Sequence, residues 1–174
     1  MTHLYRKKGF EAEVCHAFER RVIYMDEVKN LGFKKFLVFR LSTEEYGIDI
    51  QRITTIIEKD MNIARVPKTP DYMKGVINLR GDIIPVINLR KRFNLVDGAD
   101  TEETRIIIVR FDEIIVGLIV DSVAEVVDLD DDSIENITNI AGDLSLDYIM
   151  GVGKVEGRII TLLNLEKLIS LSET

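Results

Sequence analysis

The side chains that carry most enzyme chemistry are scarce in this sequence. Its one cysteine is Cys15 and its two histidines are His3 and His16, so neither residue type occurs after position 16. A Cys/His dyad, a Ser/His/Asp triad and a zinc site with nitrogen and sulfur ligands all need these residues. The remaining acid–base candidates are carboxylates at predicted strand ends or turns, namely Asp49, Asp82 and Asp121. A small β-barrel enzyme that uses carboxylates alone therefore stays open as an alternative.

A short acidic run has the spacing of the first ligands in a calcium-binding loop. Its members are Asp128, Asp130 and Asp132. Such a loop also needs glycine at its sixth position and glutamate at its twelfth, where this chain has Ser133 and Asn139. The run is more typical of a solvated strand end, and we predict neither a metal nor another cofactor.

The charge of the chain limits the classes of partner. The 174 residues carry a formal net charge of −7. An acidic surface repels the phosphates of nucleic acids and anionic lipids, so neither is an expected partner. No apolar run approaches the roughly 18 residues of a membrane-spanning helix, and the N-terminus lacks the apolar core of a secretory signal. We therefore expect a cytoplasmic protein without direct membrane insertion.

The elements that would position these residues are mostly strands. From residue 33 onward, about ten short runs rich in Ile, Val and Phe are separated by Gly, Asp and Asn. This pattern indicates barrels or a sandwich and not a parallel α/β fold. The run 113–129 is too long for one straight strand and should bend near Gly117 or Asp121. Short helices are predicted where a side chain can cap them, after Thr69, Asn88, Asp132 and Asn164.

The segment VINLRGDIIPVINLR, residues 76–90, contains the same five letters twice. Gly81 and Asp82 suit the centre of a two-residue hairpin turn, which would place Arg80 opposite Ile83 on the next strand. The identity ends with the five letters. It therefore indicates two strands of similar composition and not a domain repeat.

Four segments resemble the CheW family of chemotaxis coupling proteins, and the resemblance covers about four-fifths of the chain. It implies a mainly β fold of two five-stranded SH3-like β-barrels packed side by side, with short helices that include a C-terminal one. TPDYMKGVINLRG (69–81) and EEYGIDI (44–50) are its most specific parts. The four segments are EEYGIDI (44–50), RVPKTPDYMKGVINLRGDIIPVINLRKRF (65–93), VGLIVDSVAEVVDL (116–129) and YIMGVGKVEGRIITLLNLEKL (148–168).

The resemblance also implies a domain organisation. Residues 33–170 would form the CheW-like domain, with the boundary between its two barrels near residues 66–82 and the C-terminal segment packed back on the first barrel. Residues 1–32 would be an N-terminal extension. Their apolar spacing allows a short amphipathic helix, and a segment without a fixed place on the fold is the alternative.

The function implied by the resemblance is that of a non-catalytic adaptor. Members of the family hold the regulatory domain of the histidine kinase CheA at the cytoplasmic tips of transmembrane chemoreceptors. The protein would then meet the membrane only through the receptor array. A coupling module of a receptor array outside chemotaxis is a close alternative.

The family's receptor-binding groove can be carried over residue by residue. Its glycines would allow close backbone approach, and Arg80 would supply a charged hydrogen bond. Thr55 stands where the family often has a glutamate suited to pairing with that arginine, and Glu58 could substitute for it. The groove positions are Ile53, Thr55, Gly75, Arg80, Gly81, Val123 and Val126.

Overall fold

The fold consists of two sheets in which most neighbouring strands are antiparallel. The computed structural model describes residues 32–137 and 147–170, so the predictions for the N-terminal extension lie almost wholly outside the described residues. The strands are β1 (Phe33–Leu41), β2 (Glu44–Asp49), β3 (Ile53–Glu58), β4 (Met73–Leu79), β5 (Asp82–Asn88), β6 (Arg105–Phe111), β7 (Ile114–Val120), β8 (Ser122–Asp130), β9 (Ile134–Glu135), β10 (Ile149–Val155) and β11 (Arg158–Leu163). The α-helices are α1 (Leu89–Arg92) and α2 (Leu165–Ser170), and 3-10 turns cover Ile50–Arg52 and Asp131–Ser133.

The order of the strands confirms a mainly β fold with two sheets. One sheet runs β8-β1-β2-β11-β10-β9 and the other runs β3-β6-β7-β5-β4. The first sheet has six strands and not five, because β9 pairs with β10 through Ile134 and Glu135. In the second sheet, Ala64 in the connection after β3 bridges to Val76 of β4. The edge strands of each sheet are thus consecutive along the chain, as in a sheet that curls towards a barrel.

The chain changes sheet at two places, and neither lies within residues 66–82. It enters the five-stranded sheet at the 3-10 turn Ile50–Arg52 and returns to the six-stranded sheet at Asp121, between β7 and β8. The boundary predicted near 66–82 therefore falls inside the five-stranded sheet. The expected bend in the run 113–129 is at Asp121. Pairing of β11 with β2 brings the C-terminal segment back against the first strands.

Each sheet buries its own hydrophobic cluster. Strand alternation places one side of each sheet in the interior, where Ile and Val pack well on a pleated surface. The cluster of the six-stranded sheet contains Phe36, Val38, Val127, Leu129, Ile160 and Leu162. That of the five-stranded sheet contains Ile77, Ile84, Val86, Ile106, Ile108 and Ile119.

Two of the four predicted helix caps are confirmed. Asn88 accepts a hydrogen bond from the Lys91 amide at the start of α1, and Asn164 does the same for the Lys167 amide in α2. The helix expected after Thr69 is absent from the described residues, and the Thr69 hydroxyl donates to the carbonyl of Val66. The cap expected at Asp132 was also wrong: Asp130 caps the 3-10 turn instead. Short polar side chains compete for backbone groups in several geometries, so spacing alone cannot distinguish these cases.

The hairpins β4–β5 and β10–β11 are two copies of one unit, which the sequence interpretation missed. Matching residues lie 76 positions apart, and identical pairs include Tyr72/Tyr148, Gly75/Gly151, Gly81/Gly157 and Asn88/Asn164. The copies share backbone geometry as well. The Asn88 amide donates to the Tyr72 carbonyl at 2.8 Å and the Asn164 amide to the Tyr148 carbonyl at 2.7 Å. The repeated unit therefore occurs once in each sheet, whereas the two VINLR segments both belong to the β4–β5 region of one sheet.

Asp121 ties the two sheets together at the second crossing. Its amide donates to the Arg40 carbonyl at 3.0 Å, and its carboxylate accepts the Ser42 amide at 2.7 Å. Arg90, in the helix that follows β5, donates to both carboxylate oxygens, with Nε 2.7 Å from Oδ1 and Nη2 bonded to Oδ2. Partial burial raises the pKa of Asp121, but hydrogen bonds from Arg90 and Ser42 and the charge of Arg90 outweigh burial and hold the pKa below its ordinary value.

Asp121→Asn should destabilise the fold, because it leaves the charged donor Arg90 without its charged acceptor. We expect urea unfolding at pH 7 to show a free energy of unfolding lower by about 1–3 kcal/mol. The stabilisation by Asp121 is complete above its ordinary pKa of 3.8 and is lost as the pH falls through the lower folded-state pKa. The variant should therefore show a shallower decline in stability in acid than the wild type.

The matched control is Asp128→Asn. Asp128 pairs with Lys35 at 2.5 Å, but its side chain is 51% exposed. Its loss should cost less than about 1 kcal/mol. Equal losses in the two variants would contradict the role given to Asp121.

Candidate functional site

The candidate receptor-binding residues lie on edge strands of both sheets. Five of them belong to the five-stranded sheet, on β3, on β4 and at the turn that follows β4. The other two lie on β8, an edge strand of the six-stranded sheet. No strand pairing links β8 to β3 or β4 within residues 32–137 and 147–170. Edge strands have backbone groups without partners in the sheet, and such groups are available to a second molecule.

Arg80 and Gly81 form the tip of the β4–β5 hairpin, and both are exposed. Their φ angles are 54° and 94°, as in a type I′ turn, and the Gly81 amide donates to Asn78 Oδ1 at 3.0 Å. The register pairs Leu79 with Asp82 and Asn78 with Ile83. The prediction that Arg80 faces Ile83 was thus wrong by one residue. The sequence favoured a turn with glycine first, whereas the chain puts both Arg80 and Gly81 in the left-handed region.

The arginine at this tip has no charged partner of its own. Among the described residues, none forms an ion pair or side-chain hydrogen bond with Arg80, and the expected pairing with Glu58 is not made. Glu58 lies at the far end of β3, where it is paired in register with Arg105. Thr55 is half-buried on the same strand. The guanidinium of Arg80 is therefore solvated and able to bind an external acceptor.

Two candidate positions serve the interior of the fold. Ile53 is only 7% exposed and belongs to the core. Gly75 is buried with φ 149°, and a Cβ there would lie 2.3 Å from the carbonyl oxygen of Ala64. The close backbone approach expected at Gly75 is therefore made to this chain's own Ala64. Gly81 differs, because a Cβ there would meet nothing within 4 Å.

Val123 and Val126 are half-buried on β8. Between them, Glu125 accepts a 2.5 Å hydrogen bond from Arg158 Nη2, and Arg158 Nη1 lies 3.3 Å from both carboxylate oxygens of Glu45. Hydrogen bonding to Glu125, opposed by a smaller effect of burial, raises the pKa of Arg158. This ionic cluster holds the edge strand against β2 and β11 and leaves part of each valine accessible.

Two of the three carboxylates considered for acid–base chemistry have structural roles. Asp49 caps the 3-10 turn Ile50–Arg52 by accepting the Gln51 amide, and Asp121 is bonded to Arg90. Asp82 is exposed, and it pairs with Leu79 across the β4–β5 hairpin. Among the described residues, no three or more His, Cys, Asp or Glu side chains cluster as metal ligands. The same part of the chain contains no helix long and apolar enough to cross a membrane.

Comparison with known proteins agrees with this architecture. The profile of the CheW-like domain matches residues 35–173. The chain belongs to the CheW family. It is 39% identical over 140 residues to the chemotaxis protein CheW of Klebsiella aerogenes, covering 80% of this chain and 84% of that protein. It is 38% identical over 134 residues to CheW of Bacillus subtilis, covering 75% and 83%.

A solved CheW structure has the same fold. The crystal structure of the scaffolding protein TtCheW from Thermoanaerobacter tengcongensis superposes with a TM-score of 0.71 at 40% sequence identity. The match covers 78% of this chain and 91% of that one. The family resemblance found in the sequence is thereby confirmed, together with the mainly β architecture.

The two hairpin glycines should respond differently to alanine. Gly75→Ala places a methyl group against the Ala64 carbonyl, and we expect a loss of about 2 kcal/mol or more in the free energy of unfolding. Gly81→Ala meets open space and has only the left-handed backbone to accommodate, so about 1 kcal/mol is expected. Urea unfolding of both variants measures the difference. A larger loss of stability in Gly81→Ala than in Gly75→Ala would mean that the Ala64 carbonyl does not restrict the residue at position 75.

Proposed function

We propose that this CheW-family protein is a non-catalytic adaptor that couples transmembrane chemoreceptors to the histidine kinase CheA in the cytoplasm. The observation that carries the proposal is the solvated guanidinium of Arg80 at a rigid turn beside an open sheet edge. Family membership supports the same role, since these two relatives are chemotaxis proteins and TtCheW is a scaffolding protein. The structural roles of Asp49 and Asp121 weigh against an enzyme that uses carboxylates.

The receptor partner would be the helical hairpin at the cytoplasmic tip of a chemoreceptor. A helix binds by placing its apolar stripe in a groove between packed elements. Thr55, Val123 and Val126 are partly exposed and would line such a groove. Arg80 and Gly81 would contact its polar rim, and Ile53 and Gly75 would support it from within. The regulatory domain of CheA would bind elsewhere on the protein.

Arg80 is well suited to a rim contact because no internal bond must be broken before it binds. Its backbone is fixed by the turn and by the Asn78–Gly81 hydrogen bond. An arginine in this state can form a charge-assisted hydrogen bond to a carboxylate or carbonyl of the partner. The cost of ordering its side chain is the main term opposing the contact.

The proposal predicts that Arg80→Glu weakens binding to a receptor signalling fragment at least tenfold, which corresponds to about 1.4 kcal/mol. Replacing an attractive charge by a repulsive one at an interface disfavours association. The fold should be unaffected because Arg80 is exposed and makes no ion pair among the described residues. Titration calorimetry with the receptor fragment and with the kinase regulatory domain measures both affinities.

The second hairpin supplies the matched control, Glu156→Arg. Glu156 occupies the equivalent turn position, with φ 49° against 54° at Arg80, and it is also exposed. This reversal should leave receptor binding within about threefold of wild type, or about 0.7 kcal/mol. Unchanged receptor affinity in Arg80→Glu would remove Arg80 from the site. Loss of thermal stability in that variant would instead make Arg80 a structural residue.

A further inference from the structure

Arg92 bridges the two copies of the repeated unit. Its guanidinium carbon lies 4.4 Å from the ring centroid of Tyr72 and 4.8 Å from that of Tyr148. These two tyrosines are the equivalent residues that precede β4 and β10, one in each sheet. A guanidinium within about 6 Å of an aromatic centroid is attracted to its face. One side chain thus contacts the same position of both halves.

The guanidinium of Arg92 is held by its contacts with the two tyrosine rings. Arg92 Nε and Nη2 are buried and have no hydrogen-bond partner within the part of the chain that the structure describes. Burial of donors without acceptors is unfavourable. An apolar side chain in the same space would not have that cost. Stability alone therefore does not explain an arginine at this position.

The second copy of the repeat has an apolar residue at the position equivalent to Arg92. The residue 76 positions after Arg92 is Leu168, which is fully buried in α2, and the one after Phe93 is Ile169, which is 3% exposed. In the first copy, Phe93 stacks on Tyr46 with ring centroids 5.6 Å apart and contacts Tyr148 at 5.9 Å. The two copies thus differ where α1 meets the other sheet.

We propose that Arg92 is a positioning residue that fixes the angle between the two sheets and thereby the spacing of their edge strands. Tyr72 and Tyr148 are anchored by the Asn88 and Asn164 amides, so the stacked guanidinium sets one rigid hairpin against the other. It acts together with the Asp121–Arg90 pair and with the stacking of Phe93 on Tyr46, which also join α1 to the six-stranded sheet. The consequence for receptor binding rests on the proposed function, because the groove would use edge strands from both sheets.

The test measures geometry and binding separately. Spin labels are attached to cysteines placed at Thr43 and Glu113, exposed turn residues of the six-stranded and five-stranded sheets, with Cys15 changed to serine. Pulsed electron resonance then gives the distance distribution between the sheets. Arg92→Leu should broaden or shift this distribution and weaken receptor-fragment binding about tenfold, or about 1.4 kcal/mol. Arg92→Lys retains a cation, so its distance distribution and its receptor-fragment affinity should both be closer to wild type than those of Arg92→Leu.

Two further variants keep the result interpretable. Arg65→Leu removes an exposed arginine from the connection between β3 and β4 and should leave the distance distribution unchanged. Tyr148→Leu removes one of the two rings that contact Arg92 and should give the same distance distribution as Arg92→Leu. If Arg92→Leu does not fold, Tyr148→Leu tests the proposal in its place. Wild-type distances in both bridge variants would overturn the proposal. Failure of the unsubstituted chain to bind receptor would contradict only the proposed function, since the distances still test Arg92.

Discussion

The fold depends on the ion pair between Asp121 and Arg90 at the point where the chain returns from one sheet to the other. Asp121 interrupts what would otherwise be one long strand, and its amide and carboxylate bond to the backbone of the β1–β2 hairpin. Arg90 belongs to α1, the helix that follows β5 of the other sheet. A partly buried charge pair with further hydrogen bonds is more costly to break than an exposed one, because either partner alone would remain poorly solvated. The crossing is therefore held by a directional contact as well as by apolar packing.

A duplicated hairpin explains much of the remaining order. Each copy has a bulge near its buried glycine, a left-handed turn, an asparagine cap and a tyrosine bonded to that asparagine's amide. The copies differ at several charged positions, such as Arg80 against Glu156, and at the end of the following helix. One unit can thus supply the core of both sheets while its variable positions supply different surfaces and a joint between them.

Part of the candidate site could be predicted from sequence and part could not. A two-residue turn was expected at Gly81 and Asp82, because such turns require residues that tolerate a positive φ, and the chain makes this turn at Arg80 and Gly81. Its register was missed by one residue, since two adjacent glycine-containing turns fit the same letters. Ile53 was expected to be a contact residue but is buried, and Gly75 meets Ala64, because no local pattern reveals which distant segment packs against a strand.

The sequence by itself determined that the chain is a mainly β CheW-family protein without histidine or cysteine in its described part, and it determined the caps at Asn88 and Asn164. Strand periodicity, turn residues and capping side chains act within a few residues of each other, so their effects can be read along the chain. Only the tertiary structure decided which strands share a sheet, that the crossings lie at Ile50–Arg52 and Asp121, and that Arg92 lies between Tyr72 and Tyr148. Those outcomes depend on contacts between residues far apart in sequence, where many pairings satisfy the same local preferences and packing selects one.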